Sequence, residues 1–204
     1  MKRLFFAFCA LALVATVANA DVPDPSNCST SLDGPQRVLL IPDENGTSPV
    51  SQATFTVTVK NAANNPINNA IVEILIGGIA DNKTKLCASE TTSYTTNVAG
   101  QATINLGGGG CYKGPNAIVI RANGVEIRNF NAAVSPDYGG SDNAGLPGLW
   151  SLSVTLADFT ALSAAFGNPN NPSCHDYNND GLMTLTDFTV FGQSWLSTTR
   201  DCTP

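Results

Sequence analysis

The stretch Asp176-Tyr-Asn-Asn-Asp-Gly-Leu-Met-Thr-Leu-Thr-Asp187 sets oxygen-bearing side chains at alternating positions. Asp176, Asn178 and Asp180 stand at positions 1, 3 and 5 of twelve. Gly181 follows at position 6, where a chain that folds its ligands inward must turn sharply. Leu182 at position 7 offers a backbone carbonyl, and Thr184 at position 9 a hydroxyl or a bound water. Asp187 closes the set at position 12. Hard oxygens in a tight loop suit a hard cation that tolerates flexible geometry, and this spacing is that of a calcium loop. The same Asp, Asn and Gly residues are also common formers of Asx turns. Met183 at position 8 is the apolar residue through which paired loops touch.

Such a loop needs an element to hold its exit, and the sequence supplies one twice. Val154-Thr-Leu-Ala-Asp-Phe-Thr160 aligns with Met183-Thr-Leu-Thr-Asp-Phe-Thr189, an internal repeat. Phe159, Leu162 and Phe166 align with Phe188, Phe191 and Trp195. Both sets follow i, i+3, i+7, so each repeat is predicted to be a short amphipathic helix with an apolar stripe. The stripes are expected to form the core between the two helices. Neither helix is long enough to be stable alone, so the pair depends on packing and on fixed loops. In the first repeat the loop pattern breaks. Counting back from Asp158 places Pro147, Leu149 and Ser151 at positions 1, 3 and 5, and Leu152 where glycine is needed. An insertion restores a ligand set: Asp137 opens the loop, Asp142 or Asn143 contributes, and Asp158 closes it. The alternative is a vestigial first loop.

Position 12 is Asp rather than the Glu usual in EF-hands, and Pro172-Ser-Cys-His precedes the loop in place of an entering helix. A loop closed by Asp, an exiting helix only and two tandem copies resemble the dockerin family. The segment Asp-Tyr-Asn-Asn-Asp-Gly-Leu-Met-Thr-Leu-Thr-Asp-Phe188 carries that resemblance most strongly, over roughly residues 135–202. It implies a calcium-binding module that docks onto a cohesin-like partner and attaches secreted proteins to scaffolds. The first repeat departs from the family's pattern. So does Leu185-Thr186 at positions 10 and 11, where partner-selecting residues lie in that family.

Residues 21–134 are expected to be strands. Arg37-Val-Leu-Leu-Ile41 is an apolar run stopped by Pro42. Ala53 to Lys60 alternates, with Phe55, Val57 and Val59 on one face and threonines on the other, the period of a half-buried strand. Ala70 to Ile76, Gln101 to Leu106, Ala117 to Arg121 and Val125 to Phe130 follow, the last two around the hairpin signal Asn123-Gly124. Short strands at this spacing predict an antiparallel β-sandwich. Val57-Thr-Val-Lys-Asn-Ala-Ala-Asn-Asn-Pro-Ile-Asn-Asn-Ala-Ile-Val72 and Thr96-Asn-Val-Ala-Gly-Gln-Ala-Thr-Ile-Asn-Leu106 resemble bacterial immunoglobulin-like domains of the invasin and intimin type. That resemblance implies a spacer or adhesive module at a cell surface. Gly107 to Gly110 lacks the helix N-terminus and lysine of a phosphate loop and is expected to be a loop tip beside a disulfide. The fold expected is therefore mainly β: an immunoglobulin-like antiparallel β-sandwich over 21–134, then a small α-helical dockerin-like module over 135–204.

Residues 1–20 have the form of a secretory signal peptide. Met1-Lys2-Arg3 gives a basic start, Leu4 to Val17 is apolar, and Ala18-Asn19-Ala20 offers a small-residue cleavage site. Without Lys2 and Arg3, eight basic residues face sixteen acidic ones. That balance argues against nucleic acid and anionic membrane as partners. Five cysteines lie beyond the signal, and an oxidising compartment predicts disulfides among them. Proximity in sequence suggests Cys87–Cys111 and Cys174–Cys202, with Cys28 unpaired, although connectivity is not fixed by sequence. Asn27, Asn45 and Asn82 head glycosylation triplets.

A catalytic reading lacks parts. The one histidine, His175, sits between Cys174 and Asp176 and is expected to pack on the surface. Cys174-His175 gives only two adjacent soft ligands for zinc. The acids of the β-region are scattered and mostly flank turns, unlike a glycosidase pair. The function expected is a secreted, non-catalytic calcium-binding protein that attaches to an extracellular or cell-surface assembly. Two other readings stand beside it: a structural subunit of a surface or filamentous assembly, and a module that binds polysaccharide.

Overall fold

β-Strands dominate the computed structural model, which describes residues 22–32, 37–42, 53–80, 82–88, 90–139, 151–166, 174–195 and 202. The signal segment, Asp142 and Asn143 lie outside the described residues. In chain order the elements are β1 (Ser29–Thr30), β2 (Arg37–Leu39), β3 (Thr54–Thr58), β4 (Ile71–Ile76), β5 (Thr84–Leu86), β6 (Ser93–Thr95), β7 (Gln101–Asn105), β8 (Gly108–Ala122) and β9 (Val125–Val134), then α1 (Leu156–Phe166) and α2 (Leu185–Trp195). Strands β1, β3 and β7 make a small sheet, and β2-β9-β8-β4-β6 a larger one to which β5 adds beside β8.

The alternation read in the sequence places the core between the sheets. Phe55, Val57 and Val59 are buried while Thr54 is exposed, and Ala102, Ile104 and Leu106 are buried opposite them. They share one core with Val72, Ile74, Ile118, Ile120 and Phe130 of the larger sheet. At Asn123-Gly124 both residues have positive φ, 46° and 81°. That is what a tight two-residue hairpin turn needs to match strand twist.

Three expectations need correction. Pairing is not antiparallel throughout, because β2 runs parallel to β9, with Arg37 opposite Ala132 and Leu39 opposite Val134. The glycine run is not a loop tip: Gly108 to Gly110 begin β8 and pair with β5. Side-chain-free residues are required there, since a Cβ on Gly109 would lie 2.1 Å from Asp137 Oδ2, and one on Gly108 2.4 Å from the Lys85 carbonyl. The disulfides are Cys87–Cys202 and Cys111–Cys174, not the sequence-adjacent pairs, and Cys28 is a buried free thiol. The nearness that matters is across the fold. Cys87 and Cys111 are set beside the C-terminal segment by β5 and β8, so each finds a partner there.

The second disulfide follows from strand alternation. Along β8, Cys111 and Lys113 share a face. Across the strands Cys111 pairs with Val134, and Lys113 with Ala132. On this face Leu39, Cys111, Ala132 and Val134 join a core with Val154, Leu162, Tyr177, Met183, Val190 and Phe191. On the other face Val38, Leu40 and Ala133 enter the core between the sheets. The edge formed by β2, β9 and β8 is thus covered on both sides, which explains why Arg37 to Ile41 lacks alternation. The helices pack on it through Leu162, Val190 and Phe191. Between them, Phe159 has ring centroids 6.4, 6.0 and 6.2 Å from Phe188, Phe191 and Trp195. No helix among the described residues is long and apolar enough to cross a membrane.

Candidate calcium loop

Backbone N–H groups hold the loop's carboxylates from within. Asp176 Oδ1 accepts from the Asp180 amide at 3.2 Å and Oδ2 from the Gly181 amide at 3.1 Å. Asn178 Oδ1 accepts from the Asp180 amide at 3.1 Å, and Asp180 Oδ1 from the Leu182 amide at 2.8 Å. These are successive Asx turns, and each wraps the chain one step further around the loop. Asn179 and Gly181 take the left-handed φ values, 55° and 87°, that close such a turn. Asp176 is 1% exposed and Asp187 fully buried, while Asn178 is half-buried and Asp180 faces solvent.

Asp187 joins the two ends. Its Oδ1 accepts from the Tyr177 and Asn178 amides at 2.7 and 3.3 Å. Its Oδ2 accepts from the Thr184 amide at 2.9 Å and the Thr184 hydroxyl at 3.3 Å. Thr184 Oγ1 in turn accepts from the Thr186 amide at 3.2 Å. Thr184 and Asp187 therefore make a capping box at the start of α2. The closing residue is both the candidate ligand and the cap of the exiting helix. The Leu182 side chain at position 7 is 53% exposed. Met183 at position 8 is buried beside Val154, its counterpart in the first repeat.

The first repeat is built on the same scheme. Asp158 Oδ2 accepts from the Thr155 amide at 2.8 Å and its hydroxyl at 3.0 Å, repeating Thr184 and Asp187. Asp137 Oδ2 accepts from the Leu152 amide at 3.0 Å, as Asp176 does from Gly181, and Asp137 Oδ1 accepts from the Ser151 hydroxyl at 3.1 Å. Leu152 has φ 55°, the one non-asparagine among the described non-glycine residues with positive φ. So Ser151, Leu152 and Asp158 hold positions 5, 6 and 12, as the count gives. Asp137 stands toward Leu152 as Asp176 stands toward Gly181. The intervening residues 140–150, with Asp142, lie outside the described residues. Leu152 is fully buried against Cys87 and Cys202, and its carbonyl accepts from the Cys202 amide at 2.9 Å.

Two residues that the sequence did not single out flank Asp176. Tyr177 is fully buried, and burial, followed by the charges of Asp158, Asp187 and Asp137, pushes its phenol well above the usual range. Lys113 Nζ lies 3.9 Å from Asp176 Oδ2. Burial raises the Asp176 carboxyl, opposed by the Gly181 hydrogen bond and by Lys113. His175 is not on the surface, as expected from sequence, but 5% exposed. It packs edge-on to Tyr138, and its Nδ1 lies 3.2 Å from the Tyr177 hydroxyl. Burial, then Lys113, lowers its pKa to about 4, so it is a neutral core ring.

The donors of the second loop are all oxygens, which fits a hard cation and not a soft one. Among the described residues no three His, Cys, Asp or Glu side chains are drawn together tightly enough to hold a metal by themselves. The Asn178, Thr184 and Leu182 oxygens are additional to such a count, and the Asp180 carboxylate is turned toward Asn178 Nδ2 at 2.8 Å. No protein-family model, no curated protein and no solved structure matches the chain.

Proposed function

We propose that this chain is a secreted, non-catalytic protein whose Asp176–Asp187 loop binds calcium, and that the clipped helix pair attaches it to an extracellular partner. One observation carries the reading. Two carboxylates, Asp176 and Asp187, are buried within one twelve-residue loop that wraps its oxygens inward through Asx turns. Burying two like charges side by side is costly, and a divalent cation with oxygen coordination offsets that cost. Asp176, Asn178, Asp180, Asp187, the Leu182 carbonyl and Thr184 would hold the ion. Its role is that of a clip: the loop lies between the Cys111–Cys174 disulfide and α2, so fixing it fixes the helix start.

The attachment reading is supported by the exposed face of the helix pair. Leu156 and Leu185, both at position 10 of their repeats, are 68% and 74% exposed, and Phe188 is 45% exposed. Leu156 and Phe188 line an almost wholly apolar groove with Phe159, Phe191 and Trp195, and Leu185 lines a second one with Leu162, Phe166 and Phe188. Leu185 and Thr186 stand where the dockerin family carries partner-selecting residues, and the pair departs from that family's pattern, so a partner here need not be a cohesin. The test is capture of binding proteins from secreted fractions by the full chain, in calcium and in chelator. A partner lost both in chelator and on Leu185→Asp supports docking. A partner kept in chelator contradicts calcium-dependent docking. Filaments of the chain alone by electron microscopy would favour the structural-subunit reading, and glycan-array binding the polysaccharide one.

A further inference from the structure

The sheet beneath the loop carries two cations in one row. Arg37 on β2 and Lys113 on β8 both pair with Ala132 of β9, so they flank a small residue on the face that the C-terminal segment covers. The disulfide sets the loop over this row: Cys111 holds Cys174, and two residues on in each chain segment Lys113 meets Asp176. Arg37 is 3% exposed, and its Nε and Nη1 donate to no partner among the described residues. A guanidinium is not left that way without charge to balance it. Burial pushes the pKa of both cations down, and the Asp176 and Asp187 carboxylates oppose it by favouring the charged form.

We infer that Lys113, backed by Arg37, is a resident counter-charge of the Asp176–Asp187 loop and sets its calcium affinity by opposing the ion at Asp176. The inference rests on the calcium reading above. Asp176 lies 3.9 Å from Lys113, and Asp187 adds a second carboxylate toward the two positive charges from the sheet. Calcium must then bind against those charges. Like charges a few ångströms apart repel even through water, and more so at a partly covered site. Lys113 is 28% exposed, so it can swing away as the ion enters, at a cost in affinity. Affinity is thereby tuned from the β-sheet and not by the loop's own ligands alone.

The test is a calorimetric titration of the full oxidised chain with calcium chloride, comparing wild type, Lys113→Met and Lys113→Arg. Lys113→Met keeps the stem and removes the charge, and should tighten calcium about tenfold, the order expected of one partly screened charge. Lys113→Arg keeps the charge and should bind as wild type. Lys113→Met binding no tighter than wild type overturns the inference. So does Lys113→Arg binding as tightly as Lys113→Met, since packing and not charge would then be the cause. A wild-type chain that takes up no calcium overturns the calcium reading and this inference with it, an outcome distinct from a wild type that binds and a variant that does not differ.

Discussion

Position 6 of each loop needs a left-handed backbone, and the two repeats meet that need with opposite residues. Gly181 has φ 87°, with open space around a notional Cβ, so glycine is there for its backbone alone. Gly181→Ala should cost about 1–2 kcal/mol in urea unfolding, the penalty of a side chain in that region. Leu152 bears the same penalty at φ 55° but is fully buried beside Cys87 and Cys202. Burying a leucine contributes about 1.5–3 kcal/mol, which outweighs the strain. Leu152→Gly should therefore destabilise the chain, by about 1–3 kcal/mol once relief of strain is set against the cavity. Equal or greater stability would mean that the side chain contributes little there. The turn pattern of the second loop was legible because its candidate ligand positions lie in one uninterrupted stretch and its glycine is present. In the first, Ser151, Leu152 and Asp158 fall where counting places them, but Asp137 is separated from them by an insertion that spacing cannot measure. Lys113 was invisible for another reason: its place over Asp176 depends on a disulfide joining distant segments.

Among the elements, the two helices begin alike and then differ in what holds their loops. Each starts with a threonine cap and an aspartate that answers it, Thr155 with Asp158 and Thr184 with Asp187. Asp158→Ala should cost about 1–2 kcal/mol of stability through the lost cap and leave calcium stoichiometry at one. Asp187→Ala should cost at least as much in chelator and also abolish the gain in stability from calcium. Thermal melts of both variants with and without the ion distinguish the cases. One ion per chain is expected because the first loop places Ser151 where the second has Asp180, and its position 6 is filled by packing. Two ions would show that residues between 139 and 151 supply ligands. Phe159 touches three aromatic rings of α2 yet is itself only half-buried. Phe159→Ala should cost about 2–3 kcal/mol, below the range of a fully enclosed phenylalanine. The amphipathic period gave both helices correctly. It placed Phe188 and Phe166 in the core, whereas they are 45% and 40% exposed, because each stripe is shared between the partner helix, the sheet and solvent.

At the scale of the molecule, two nested crosslinks tie the β-region to the C-terminal segment, spanning 115 and 63 residues. Each is worth about 4–5 kcal/mol in the chain-entropy model. Their pairing means that the Asp176–Asp187 loop and the sheet share a core and a covalent bond. Strands β3, β4, β7 and the β8–β9 hairpin were legible from alternation and turn residues. Short β1, β5 and β6 were not, since two or three residues carry no period, and the parallel β2–β9 pairing is a tertiary choice. The most direct measurement is calorimetric melting of the full oxidised chain in calcium and in chelator, with Asp176→Ala beside it. Calcium at a hundredfold excess over its dissociation constant should add about 2.7 kcal/mol and raise the melting temperature of the wild type. Asp176→Ala should melt at one temperature in both conditions. A wild-type chain that melts identically in calcium and chelator would contradict calcium as the clip of the Asp176–Asp187 loop.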